Sequence, residues 1–436
     1  MGVRVAKFGG SSVADAGQLR KVQAIVRENP DRRVVVVSAP GKRSPHDIKI
    51  TDLLYRCHEC VRAGSGFDAV FQTVADRYRE IVRNLGVSVE IEKALTAVHD
   101  GILSSATADF AASRGEYLSA RITAALLERE FVDAAEVIRF DIEGKLLREE
   151  TDKAIAGRLQ GGKPVVVPGF YGAMPDGNIK TFSRGGSDIT GALLARGIRA
   201  EVYENWTDVS GVLMADPRVV QDAKTIPTLT YRELRELSYM GANVLHEEAV
   251  FPVIDVGIPV NVRNTNAPQH PGTRIVDAIE GSTSSVTGIA GRRGYTVIAL
   301  EKNLMNSEVG FGRRLLSALE RQGVSFEHMP TGIDTVSLVV ESSYLMGKLD
   351  AVLAEIQAEC RPDRIQVSEG IALIATVGRG MLRTPGVAGG LFGALATAKV
   401  NVRMIDQGSS GINIIIGVEE KDFDAAIRAI YGAFAG

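Results

Sequence analysis

Disulfides, metal-ligand clusters, long apolar runs and strong charge are all missing from this chain of 436 residues. Three cysteines make no disulfide framework. Cys57 and Cys60 have C-x-x-C spacing, but no second pair follows and Cys360 stands alone. Leu53, Leu54, Cys57 and Val61 recur at helical spacing, so an inward-facing apolar helix is expected there in preference to zinc. The six histidines are scattered without an H-x-x-x-H, and no protein metal site is expected. No apolar stretch reaches the roughly 20 residues that span a bilayer. Lys7 and Gly9-Gly10 interrupt any apolar leader at once, so a cytoplasmic protein is expected. A net charge of −3 argues against a general binder of nucleic acid or anionic membrane. Two phosphate-binding signatures are also missing: G-x-x-x-x-G-K-[ST], and G-x-G-x-x-G in a dinucleotide-binding context.

What is present reads as ordinary globular protein, 45% hydrophobic and 24% charged, long enough for about two to four domains. "RRVVVVSAP" (32–40), "PVVVPGF" (164–170) and "IPVNVRN" (258–264) are β-branched runs without alternation, as in strands buried on both faces of a parallel sheet. Helical patterns lie between them, such as 116–129, giving an α/β domain with helices on both faces. The last third repeats itself. "GFGRRLLSALERQGVSF" (310–326) matches "GVAGGLFGALATAKVNV" (386–402) at an offset of 76, continuing without a gap from 336–340 to 412–416. Each repeat reads strand, glycine, helix, strand, strand, helix, the βαββαβ order of a ferredoxin-like module. A polar stretch at 280–288 links the parts. The boundaries expected are 1–283, 290–369 and 370–436.

Four stretches carry candidate chemistry. "KFGGSS" (7–12) follows a short strand pattern; glycines let backbone N–H groups approach a phosphate, and Lys7 adds a point charge. A plain strand-to-helix turn explains K-F-G-G about as well. In "FSRGGSDITGALLA" (182–195), Ser187 or Asp188 can cap the following helix. Arg184 beside Gly-Gly is suited to gripping a carboxylate or phosphate with two bonds. "NWTDVSGVLMADPRVV" (205–220) crowds Thr207, Asp208, Asp216 and Arg218 at a strand end, where open α/β sheets bind ligands. In "SRGEYLSARI" (113–122), Glu116 is read as starting a helix, where the dipole alone favours it.

Together "KFGGSS", "VVSAPGKR…TDLL", "SRGEYLSA", "SRGGSDITGALLA", "WTDVSGVLMADPR", "GANVLHEEAVFP" and the tandem tail resemble the aspartokinases over the whole chain. The resemblance implies an amino acid kinase-like three-layer αβα domain with a mainly parallel sheet, followed by two ferredoxin-like (βαββαβ) ACT modules. It allows the final segment to complete the first module. It implies ATP-dependent phosphorylation of the side-chain carboxylate of L-aspartate to 4-phospho-L-aspartate, the first step of lysine, threonine and methionine synthesis. By similarity, Lys7 would neutralise charge on the transferred phosphoryl group, and Asp188 would orient Lys7 and its surroundings. Phe8, Gly9, Gly10, Ser11, Thr207, Asp208 and Arg218 would hold the nucleotide. Arg184 would pair with the α-carboxylate of aspartate and Glu116 with its ammonium, beside Ser38, Thr51 and Ser187. Mg²⁺ would sit mainly on the phosphates. Leu213 and Asn243 stand where many relatives carry tyrosine and lysine.

The modules imply feedback by lysine, threonine or both. Met305, Gly310, Phe311, Gly312, Ser325, Phe326 and Glu327 would form the effector site, with Glu327 facing the ammonium. A homodimer through these modules is expected. Two other readings stay open: a catalytically silent amino-acid sensor, and an amino acid kinase with another substrate.

Overall fold

In the computed structural model, which describes residues 2–104, 107–159, 163–183, 185–242, 245, 247–279, 281, 285–408 and 410–435, the valines at 34–37 are central. The chain begins with β1 (Arg4–Phe8), a 3-10 turn at Gly10–Val13, α1 (Ala16–Glu28) and β2 (Arg32–Val37). Four helices follow: α2 (Ile50–Arg62), α3 (Asp68–Leu85), α4 (Ile91–Leu103) and α5 (Ala108–Leu127). Then come β3 (Glu130–Phe131), α6 (Ala134–Val137), α7 (Arg148–Leu159), β4 (Val165–Pro168) and the hairpin of β5 (Tyr171–Ala173) and β6 (Ile179–Thr181). Next are α8 (Gly186–Gly197), β7 (Val202–Thr207), β8 (Thr228–Thr230), α9 (Tyr231–Tyr239), α10 (Glu247–Ile254), β9 (Val260–Asn264) and β10 (Thr273–Val276).

The large sheet has the order β3-β4-β2-β1-β7-β9-β10-β8. Every pair is parallel except β9 with β10. Both faces are covered, which is why its strands carry continuous apolar runs. Ala6, Phe8, Val35, Val37, Val166 and Trp206 enter one core with α1 to α5. On the other face α8 packs on β1, β2 and β7, with α7 and α10 beside it. Successive strand residues point to opposite faces, so Lys7 is on the α8 side. β1 has β2 on one flank and β7 on the other, so the chain reverses its direction of sheet growth there, and that is where open α/β sheets bind ligands.

The chain divides into two compact units. One holds Met1–Val212, Thr225–Leu234 and Asn243–Ile279; the other holds Leu213–Lys224, Arg235–Ala242 and Glu280–Gly436. In the second, β11 (Gly288–Glu301), α11 (Phe311–Arg321), β12 (Thr335–Glu341), α12 (Ser342–Leu345), α13 (Leu349–Cys360), β13 (Arg364–Val377), α14 (Val387–Thr397), β14 (Val402–Asp406), β15 (Asn413–Glu419) and α15 (Phe423–Phe434) follow in order. Their antiparallel sheet has the order β12-β11-β13-β15-β14. β11 and β13 are long enough to serve both repeats, and their pairing shifts register between Arg292 and Val297.

The repeat is real in three dimensions, with one correction. α11 and α14 match residue for residue at 76, and Gly310 (φ 83°) and Gly386 (φ 88°) cap them in the same left-handed conformation. Ile298 corresponds to Ile374, but their partners Leu338 and Ile416 lie 78 apart. The match therefore is not ungapped: two extra residues lie between β14 and β15. The final segment does reach β11, the first strand of the first module. It is the helix α15, held where Gly291 leaves room for the Phe423 ring and where Arg293 pairs with Asp424 at 2.6 Å.

Candidate active site

Lys7 is only 6% exposed, and a buried ammonium needs a partner. It has one: Nζ rests on Oδ1 of Asp188, in the first turn of α8. Asn205 on β7 donates from Nδ2 to the same oxygen at 2.7 Å, and the Tyr203 hydroxyl donates to the Asp188 carbonyl at 3.0 Å. β1 and β7 run in register with Lys7 opposite Asn205, so sheet pairing itself aims both side chains at α8. Asn205 was not singled out in the sequence, although its even spacing from Tyr203 places it on that face. Phe8 points the other way and stacks on Trp206 at 5.9 Å, so its side chain belongs to the core.

Beyond β1 the chain tightens. Gly9 N–H donates to the Trp206 carbonyl at 3.0 Å, and Gly41 N–H to the Gly10 carbonyl at 2.9 Å. A Cβ on Gly41 would lie 2.8 Å from the Gly10 carbonyl carbon, so the two loops meet backbone to backbone. Ser11 is half-buried, and Ser12 next to it shares a hydroxyl contact of 2.7 Å with Thr265. Ser38 N–H donates to the Phe8 carbonyl at 3.1 Å, fixing the end of β2 against the same turn. The following loop is tied down by Arg77, which reaches Asp47 at 2.6 and 2.7 Å and the Gly41 carbonyl at 3.3 Å. Burial would raise the Asp47 carboxyl, but hydrogen bonds from Arg43 and the charges of Arg77 and Arg43 hold it at about 2. The loop delivers Thr51, half-buried, to the second position of α2.

Glu116 does not start a helix. It sits mid-way along α5, which begins at Ala108 and is capped by the Thr107 hydroxyl. The dipole of a helix end therefore does nothing for it. Gly115 before it does not break the helix; a Cβ there would stand 2.7 Å from the Ala39 Cβ, so the glycine admits the loop after β2. Glu116 is 5% exposed and its Oε2 has no hydrogen-bond partner. Burial pushes its carboxyl up to about 8, against the lowering effects of the Ala39 and Glu116 backbone N–H groups and the Arg114 charge. A buried acid with one open oxygen is suited to receiving a cation.

At α8, neither Ser187 nor Asp188 caps the helix. Gly185 does so in the left-handed conformation (φ 57°), with no side-chain bond, which leaves the Asp188 carboxylate for Lys7. Ser187 is buried against Gly169. Arg184 lies outside the described residues, as does Asn243. At the end of β7, the Thr207 hydroxyl donates to Asp208 at 3.2 Å and Asp208 is exposed. Lys7, Gly9, Gly10, Ser38, Ser187, Asp188, Thr207 and Asp208 thus all lie at or beside the carboxyl ends of β1, β2, β4 and β7. Arg218 belongs to the second unit, exposed, with its guanidinium on Asp216 at 2.6 and 3.0 Å. Leu213, in the same segment, is half-buried.

The proposed effector positions fall into two sets. Met305 and Phe311 are core residues of the first repeat. Gly310 caps α11 with no side-chain bond and Gly312 follows in its first turn. Ser325 and Phe326 are exposed, and Glu327 accepts a hydrogen bond from the Tyr239 hydroxyl. Tyr239 was not anticipated; the contact spans 88 positions and no local pattern announces it. Among the described residues no group of three or more His, Cys, Asp or Glu is placed to hold a metal ion, and no helix is long and apolar enough to cross a membrane.

Comparison with known proteins gives a consistent result. The pattern of the amino acid kinase family matches residues 2–264, and an ACT domain matches 374–434. Aspartokinase 3 of Bacillus subtilis is 39% identical over 452 aligned positions, covering 99% of this chain and 98% of that protein. The crystal structure of Clostridium acetobutylicum aspartate kinase is 51% identical with a TM-score of 0.93, covering 100% of both chains. Two structures of Escherichia coli aspartokinase III, one with aspartate and ADP and one with lysine and aspartate, are 28% identical with a TM-score of 0.74 and cover 100% of both chains.

Proposed function

The chain belongs to the amino acid kinase family as one of its aspartokinases, and from that premise we propose that it transfers the γ-phosphoryl group of ATP to the side-chain carboxylate of L-aspartate at the β1–α8 edge. The observation that carries this reading is the buried Lys7 held on Asp188 beside the Gly9-Gly10 turn. The attacking group is already ionised, so no base is required. One oxygen of the substrate carboxylate forms a bond to the γ-phosphorus, the bond to the bridging oxygen breaks, and ADP leaves with the electron pair. Catalysis is then positioning and charge stabilisation. Lys7 meets charge on the transferred phosphoryl oxygens, and its contact with Asp188 fixes where its ammonium stands. Gly9, Gly10 and Ser11 supply backbone and hydroxyl donors; Phe8 contributes backbone only. Thr207 and Asp208 hold the nucleotide.

Glu116 takes the ammonium of aspartate on its open oxygen, and Arg184 takes the α-carboxylate. Ser38, Thr51 and Ser187 line the same pocket. The Asp188 carboxylate is occupied by Lys7, and among the described residues no carboxylate cage lines the edge; Mg²⁺ would be carried on the nucleotide phosphates with its own waters. There the ion would neutralise phosphate charge. Lysine feedback is inferred from the likeness to E. coli aspartokinase III, with Met305, Gly310, Phe311, Gly312, Ser325, Phe326 and Glu327 as its site and threonine as the second candidate. The protein is read as a cytoplasmic homodimer joined through its ACT modules, 290–369 and 370–436, behind a catalytic domain at 1–283. The test is steady-state ADP release with L-aspartate, L-glutamate and acetylglutamate in turn, then with added lysine or threonine. Turnover that requires aspartate and falls with lysine is expected. Preference for glutamate would overturn the substrate; no turnover with any acid would favour the silent sensor.

A further inference from the structure

α9 is a nine-residue helix whose residues up to Leu234 belong to the first unit and whose residues from Arg235 belong to the second. Three contacts seat its second half and the turn that follows it on the ACT repeats. The Tyr239 hydroxyl donates to Oε2 of Glu327. Asn413 Nδ2 donates to Glu236 at 2.6 Å. Gly241 (φ 102°) lies so close to the first repeat that a Cβ would stand 3.1 Å from Arg292 Cγ and 3.4 Å from the Gly291 carbonyl. Burial, with the Glu327 bond next, pushes the Tyr239 phenol well up, so it remains a donor at working pH. Glu327 is also the residue assigned to the effector's ammonium.

Resting on that assignment, we infer that Tyr239 is an internal competitor for Glu327, so that an amino-acid effector binds by displacing its hydroxyl. A carboxylate that has given up water to a phenol must exchange that bond for the incoming ammonium, and the exchange lowers effector affinity by the strength of the bond broken. Binding and α9 docking are then linked: an effector on Glu327 favours the population in which the end of α9 is unpinned, and docking of α9 opposes the effector to the same degree. The feedback threshold is set by Tyr239 as well as by the residues that touch the ligand.

The experiment is calorimetric titration of lysine, and separately threonine, into the full-length protein, Tyr239→Phe and Glu327→Gln, with effector-free aspartate turnover measured alongside. Tyr239→Phe should bind the effector about three- to tenfold more tightly with turnover unchanged, because the half-exposed bond no longer has to break. Glu327→Gln should bind at least tenfold more weakly. If the wild type binds and Tyr239→Phe binds equally or less tightly, the hydroxyl does not compete with the effector and the inference fails. If Glu327→Gln binds like the wild type, Glu327 lies outside the site and the inference fails as well. If neither amino acid binds the wild type, the effector reading itself falls, and this inference with it.

Discussion

Lys7 on the third inner strand of the sheet and Asp188 in the first turn of α8 share one contact, and Asn205 completes it from the neighbouring strand. Three elements thus fix one ammonium. The helix cap is left to Gly185, so Asp188 is not divided between a structural and a chemical task. Asp188→Asn keeps the shape and the Asn205 bond in its other amide orientation, but removes the charge that anchors Lys7. Its kcat should fall about 10- to 100-fold with little change in KM for ATP. An unchanged kcat, measured by coupled ADP release, would show that Lys7 needs no anchor.

Glu116 makes the account sensitive to pH. Its carboxyl is raised by burial from the ordinary 4.5 to about 8. Between those values the folded state holds a proton that the unfolded chain has released, so this group's contribution to stability falls as pH rises through that window. Glu116→Gln should flatten that part of the melting-temperature profile between about pH 5 and 8. Substrate binding has the opposite requirement. The ammonium needs the carboxylate, so KM for aspartate should drop as pH rises toward 8, and this dependence should vanish in Glu116→Gln while affinity falls at least tenfold. A KM that is flat with pH in the wild type would separate Glu116 from the substrate ammonium.

Gly10 and Gly41 stand so close that a methyl group on Gly41 must move backbone, not a side chain. Gly41→Ala should cost about 1–3 kcal/mol in stability by denaturant titration. It should also raise KM for aspartate, since Ser38 and Thr51 flank the same loop. Wild-type stability in this variant would mean that the two loops are not packed as described.

The strands were legible because burial on both faces leaves no alternation, and the valines at 34–37 can be little else. The repeat was legible because α11 and α14 keep an identical offset, but the two residues gained between β14 and β15 were hidden by interchangeable apolar strands. Glu116 was misplaced because Gly115 looks like a helix boundary; only the close approach of Ala39 explains a glycine inside α5. Ser187 and Asp188 looked like caps because the left-handed glycine that does the capping has no side chain to announce it. The pairing of Lys7 with Asp188, and of Tyr239 with Glu327, is long-range. No periodicity carries such information; the first came from resemblance and the second from the structure alone.

The most direct test of the central claim is the rate at which ATP and L-aspartate give an acyl phosphate, trapped as the hydroxamate with hydroxylamine, in the wild type and in Lys7→Met. Methionine keeps the bulk of the lysine stem and removes its charge. The account predicts aspartate-dependent hydroxamate in the wild type, and a loss of about 10²- to 10³-fold in Lys7→Met with a melting temperature within a few degrees. A variant that retains the wild-type rate, or that loses its fold along with its rate, would contradict the assignment of Lys7 to the transferred phosphoryl group.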